Sequence, residues 1–119
     1  MALFNKKGEN KMALTEVKQI LEKFERDFDP VVADGVDAVL QYHISGDDGG
    51  DWKITIKDGA CKIEEGTHDS PTVTYRMSGK TWLGLVNKTV NGTIAFTTGR
   101  LRIKGDMALG QLVPKIFKV

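Results

Sequence analysis

From Thr15 onward the apolar residues Val17, Ile20, Leu21, Phe24 and Phe28 return every three or four positions, with Glu16, Lys18, Glu22, Lys23, Glu25 and Arg26 between them. That spacing gathers the apolar set on one side of a helix, and Asp29-Pro30 is expected to close it, because proline disfavours helical geometry in the residue before it. The period then shortens to 2. Ala38, Leu40, Tyr42 and Ile44 alternate with polar residues, as do Trp52, Ile54 and Ile56, then Cys61 and Ile63. Gly46-Asp47-Asp48-Gly49-Gly50 and Asp58-Gly59 separate these runs with residues suited to tight turns, so the pattern predicts an antiparallel meander.

A fourth strand follows Ser70-Pro71, with Val73, Tyr75 and Met77 on one face and Thr72, Thr74 and Arg76 on the other. Ser78 is placed to cap a second helix whose apolar face carries Trp82, Leu85 and Val86 and which stops before Asn87-Lys88-Thr89. Asn91-Gly92-Thr93 turns into Ile94-Ala95-Phe96, a segment long enough for one helical turn, whose type the pattern leaves open. Gly99 then opens a fifth strand with Leu101 and Ile103 against Arg100, Arg102 and Lys104. Asp106 caps a last helix containing Met107, Leu109 and Leu112. Pro114 predicts a kink or a fresh start near Val113, since its ring opposes the carbonyl of Gly110.

Residues 1–12 are polar, lysine-rich and without period, and 1–14 are expected to form a flexible leader before one domain spanning 15–119. A chain of 119 residues with 40% hydrophobic and 28% charged content is of the size and composition of one folded domain. Seventeen basic and sixteen acidic residues leave a net charge of +1, so overall charge favours neither nucleic acid nor a membrane surface. The only thiol, Cys61, fits a reducing, cytoplasmic location, and Ala2-Leu3-Phe4 is too short an apolar run for an export signal.

Four features resemble chemical sites and are better read structurally. Ser78-Gly79-Lys80-Thr81 imitates the end of a phosphate-binding loop, but the glycine that motif needs five positions before Gly79 is Thr74, a strand residue. Asp47, Asp48 and Asp51 lack the alternating ligands and distal glutamate of a calcium loop. His43 and His68 lie in separate segments, and Cys61 is in phase with Ile63 as a small hydrophobe. No catalytic group, metal site or cofactor is expected.

The run AFTTGRLRIKGDMALGQL, residues 95 to 112, resembles the C-terminal signature of the sterol carrier protein-2 family: a glycine, an alternating basic strand, a second glycine and an apolar helix. Upstream, the hairpin pair GDDGGDWKITIKDGACKIEEG, the strand ending at Met77-Ser78 and the Trp82-Leu83 helix stand in the family's order. Family members often have Asn-Pro where this chain has Asn91-Gly92, and Phe-Phe-Gln where it has Phe96-Thr97-Thr98.

The resemblance implies an α+β fold, a five-stranded, largely antiparallel sheet covered by helices, enclosing an apolar tunnel for a fatty acid, acyl-CoA or sterol-like ligand. By the same transfer the tunnel wall comprises Trp82, Leu85, Val86, Phe96, Leu101, Ile103, Met107, Leu109, Leu112, Ile116 and Phe117. An apolar stripe at helical spacing serves equally as plain core. The implied role is lipid binding or transfer without catalysis, with at most transient membrane contact. Arg100, Arg102 and Lys104 alternate with Leu101 and Ile103 and read as the solvent face of a strand, or else as a patch for acidic head groups. A non-catalytic interaction or homodimerisation module stays open beside it. Lys115-Ile116-Phe117-Lys118-Val119 is expected to dock over the tunnel, so that removing 114–119 would weaken lipid binding while the melt stays cooperative.

Overall fold

The computed structural model describes residues 13–119. Of the expected leader, residues 1–12 lie outside the described part. Leu14 donates its amide to Asn87 Oδ1 and accepts from Asn87 Nδ2, each at 2.9 Å. The elements follow as α1 (Val17–Asp27), β1 (Ala38–Ser45), β2 (Gly50–Lys57), β3 (Ala60–Glu65), β4 (Val73–Ser78), α2 (Gly79–Val86), α3 (Gly92–Thr97), β5 (Arg102–Gly105) and α4 (Met107–Ile116).

Local chemistry accounts for the boundaries. Gln19 Oε1 takes the amides of Thr15 and Glu16 ahead of α1, and Asp48, from the turn between β1 and β2, accepts the Val17 amide at 2.7 Å. Ser78 Oγ accepts from Thr81 N, Asn91 Oδ1 from Ile94 N and Asp106 Oδ1 from Leu109 N, so α2, α3 and α4 each begin on a side-chain cap. The undecided segment after Asn91 is therefore helical.

The sheet runs β3-β2-β1-β4-β5. β1 to β3 form the expected meander, β4 joins β1 in parallel, and β5 returns antiparallel on β4. Two expectations need correction. The fifth strand is shorter than its pattern, because the amides of Arg100 and Leu101 both bond the Ala95 carbonyl and keep residues 99–101 in the turn that ends α3. And of the kink or fresh start expected near Val113, the fresh start does not occur, because α4 runs through Pro114 as one helix. The Gly110 carbonyl, denied an amide by Pro114, instead faces the Tyr75 hydroxyl at 3.4 Å.

The helices pack on the face bearing Leu40, Tyr42, Ile44, Ile54, Ile56, Val73, Tyr75 and Met77, while Arg76, Arg102 and Lys104 stand exposed on the other face. The C-terminal residues belong to the core. Ile116 and Phe117 are fully buried, Phe117 stacks on Phe24 at 4.4 Å, and the Asp29 amide bonds the Ile116 carbonyl at 2.8 Å.

Candidate functional site

The sheet row Tyr42, Tyr75 and Ile103 is set by register, Tyr42 opposite Tyr75 and Tyr75 opposite Ile103. It forms the floor of a cavity of about 260 Å³ between the sheet and the helices. Trp82, Leu85 and Val86 of α2 supply one wall and Gly110, Val113 and Pro114 of α4 another. The α4 set is an i, i+3, i+4 stripe, so these three residues share one helix face. Phe24 and Leu101 close the buried side. Gly92 and Pro114 are themselves exposed and mark where the cavity meets solvent, with half-buried Val119 also in the lining.

Aromatic rings order the buried end. Tyr42 lies between Tyr75, 4.6 Å away and 11° from parallel, and Trp82, 4.7 Å away and 15° from parallel. Phe24 meets Trp82 edge-on at 5.9 Å. Among the described residues no charged side chain lines the cavity. The polar side-chain atoms on its described lining residues are the two phenol oxygens and the Trp82 indole nitrogen. Tyr75 has only its long bond to Gly110, and among the described residues the Tyr42 hydroxyl and the Trp82 N–H have no hydrogen-bond partner. Each such buried group costs about 1–3 kcal/mol. Elsewhere buried polar groups are met: Gln41 donates to the carbonyls of Trp52 and Gly66 and accepts from the His68 amide.

Burial, with Tyr75 beside it, pushes the Tyr42 phenol well above its ordinary range, and burial raises Tyr75 too. Both therefore stay protonated donors at neutral pH. Unfolded tyrosines ionise near pH 10 while these hold their protons, so the stability they carry is complete below about pH 10 and is lost as pH rises beyond it. Denaturant midpoints between pH 8 and 11 should fall for the native protein and fall less for Tyr75→Phe; equal slopes would contradict the burial of these phenols.

Of the residues expected in the tunnel wall, the structure brings Trp82, Leu85, Val86, Leu101 and Ile103 to the cavity. Ile116 and Phe117 are packed behind it, Leu109 and Leu112 are half-buried against the core, and Phe96 and Met107 are 45% and 43% exposed. Phe24, Tyr42, Tyr75, Met77, Val90, Gly110, Val113, Pro114 and Val119 also line it.

The lookalike motifs have structural duties. Gly79 lies where a Cβ would come within 3.1 Å of the Val17 side chain, so its glycine serves the packing of α1 on α2. Asp48 caps α1, and Asp51 pairs with His43 across β1 and β2 at 2.8 Å. Burial chiefly, then Glu25, raises the Cys61 thiol, which disfavours the reactive thiolate. No group of three His, Cys, Asp or Glu among the described residues is placed to hold a metal, and no described helix is long and apolar enough to cross a membrane.

Helices packed on one face of a mostly antiparallel sheet, with a cavity between the two layers, make this an α+β domain of two layers. Residues 17–118 match the SCP-2 sterol transfer family, and the chain belongs to that family. Hydroxysteroid dehydrogenase-like protein 2 of Bos taurus is 35% identical over 81 residues, 67% of this chain and 19% of that protein. The chain thus spans about a fifth of the length of the curated relatives it matches. The fold superposes on palmitated SCP2L2 of Aedes aegypti with a TM-score of 0.71 at 23% identity, covering 88% of this chain and 96% of that one. A double mutant of the sec-alkyl sulfatase PisA1 gives 0.75 at 21%, over 88% of this chain and 17% of that one.

Proposed function

We propose that the chain binds a lipid, of the fatty acid, acyl-CoA or sterol-like kind, in the cavity between sheet and helices and transfers it without chemistry of its own. The observation that carries this reading is the uncharged, aromatic cavity in a member of a sterol transfer family. A palmitated structural neighbour supports it. At about 260 Å³ the cavity falls a little short of the ~300–1,000 Å³ usual for small-molecule sites, so a long ligand must displace α4 or emerge past Pro114. A cytoplasmic setting, suggested by the lone thiol, is part of the proposal, as is brief contact with acidic lipid surfaces. Supporting that contact, Arg76 and Arg102 pair across strands and line an open groove with Arg100, and none of the three has an ion-pair partner among the described residues.

A second reading, a non-catalytic interaction or dimerisation module, is favoured by one finding: relatives carry the equivalent stretch within chains about five times longer. Native mass spectrometry of freshly purified protein, followed by solvent extraction, separates the two. About one lipid per chain, or saturable uptake of a fluorescent fatty acid by the stripped protein, is the expected result. An empty protein that ignores the probe at tens of micromolar and self-associates would favour the second reading.

A further inference from the structure

We propose that Tyr42, seconded by Tyr75, is a polar anchor at the buried end of the cavity, and that the ligand enters with a neutral oxygen, a hydroxyl or carbonyl, at its inner end. The inference rests on the lipid-binding reading above and specifies its ligand class. Tyr42 is 2% exposed and lines the cavity, and among the described residues its hydroxyl has no partner. Buried polar groups are almost always hydrogen-bonded, and Gln41, the next residue along the same strand, has three such bonds. A buried hydroxyl without a partner among the described residues, on a side chain that lines a cavity, is a group awaiting a partner. The stacked, in-register rings of Tyr42 and Tyr75 set two phenols side by side, and the Tyr75 bond to Gly110 is long enough to be exchanged.

Charge decides which oxygen fits. Among the described residues no cation lines the cavity, and a buried unpaired carboxylate or phosphate is far more costly than a neutral group. An ionised head must therefore stay at the Gly92 and Pro114 mouth. An alcohol matches best, because it accepts from one phenol and donates to the other; a carbonyl oxygen accepts from both.

The test compares 1-tetradecanol, tetradecane and tetradecanoate, delivered from cyclodextrin, as competitors of a fluorescent lipid on native protein, Tyr42→Phe and Tyr75→Phe. The native protein should take the alcohol about tenfold more tightly than the alkane. Tyr42→Phe should erase the preference for the alcohol over the alkane and not lower the melting temperature of the empty protein. Tyr75→Phe should lose part of the preference. Equal binding of alcohol and alkane by the native protein, or a preference that survives Tyr42→Phe, overturns the anchor while leaving lipid binding intact. If no chain competes, the lipid-binding reading fails and the anchor fails with it.

Discussion

Phe117→Ala is expected to remove about 3–5 kcal/mol of stability and to lower the melting temperature by on the order of 15 °C. The ring is fully buried, stacks on Phe24 at 9° from parallel, and lies 5.9 Å from Phe28, so its loss leaves a void bounded by two rings of α1 and its C-cap. Neighbouring Ile116, also fully buried, ties its carbonyl to the Asp29 amide, which limits how far the chain end can move to refill the space. A domain of this size has roughly 5–15 kcal/mol in all. Removing 114–119 deletes both side chains, and the cooperative melt that the sequence suggested for that truncation is replaced by an expected loss of the folded state. Differential scanning calorimetry of Phe117→Ala decides the matter. A decrease under about 1 kcal/mol would mean that the end of the chain is not docked in solution.

Much of the fold was legible because its signals are local. Alternation marked the strands from Ala38 to Met77, and Ser78 and Asp106 announced α2 and α4 as caps that the hydrogen bonds show. What depends on distant partners was hidden. Nothing near β4 says that Tyr75 lies parallel beside Tyr42, and the late start of β5, at Arg102, comes from the amide bonds of Arg100 and Leu101 back to Ala95. The fresh start weighed at Pro114 rested on its ring opposing the Gly110 carbonyl, and that carbonyl faces a tyrosine from the sheet.

The cavity was half legible for a different reason. The resemblance put large apolar side chains, Met107, Leu109, Leu112, Ile116 and Phe117, in the tunnel wall from the C-terminal helix. The face that lines the cavity is the adjacent stripe, Gly110, Val113 and Pro114. Space remains where side chains are small, so a glycine at helical spacing from valine was the available signal, and its want of apolar bulk made it easy to pass over. Tyr42 and Phe24 were in phase with the core and read as core. Only the arrangement of rings around unfilled space distinguishes them.

Filling that space should separate binding from folding. Ile103 is half-buried on β5 opposite Tyr75 and faces the cavity, so Ile103→Trp adds an indole where there are about 260 Å³ to receive it. Overpacking a filled core costs about 1–3 kcal/mol; here the void should hold the loss to the lower end of that range and leave a cooperative melt. Lipid affinity should fall by more than tenfold, about 1.4 kcal/mol or more, because ligand and indole compete for the same volume. Phe96→Ala and Met107→Ala are the contrast. Both side chains were expected in the wall and both are more than two-fifths exposed, so their removal should change affinity by less than about threefold if the binding site is the cavity beneath α4. Titrating the stripped proteins with a fluorescent fatty acid reads all three. Full affinity in Ile103→Trp, with a large loss in Phe96→Ala, would move the site from the cavity to the exposed face of α3.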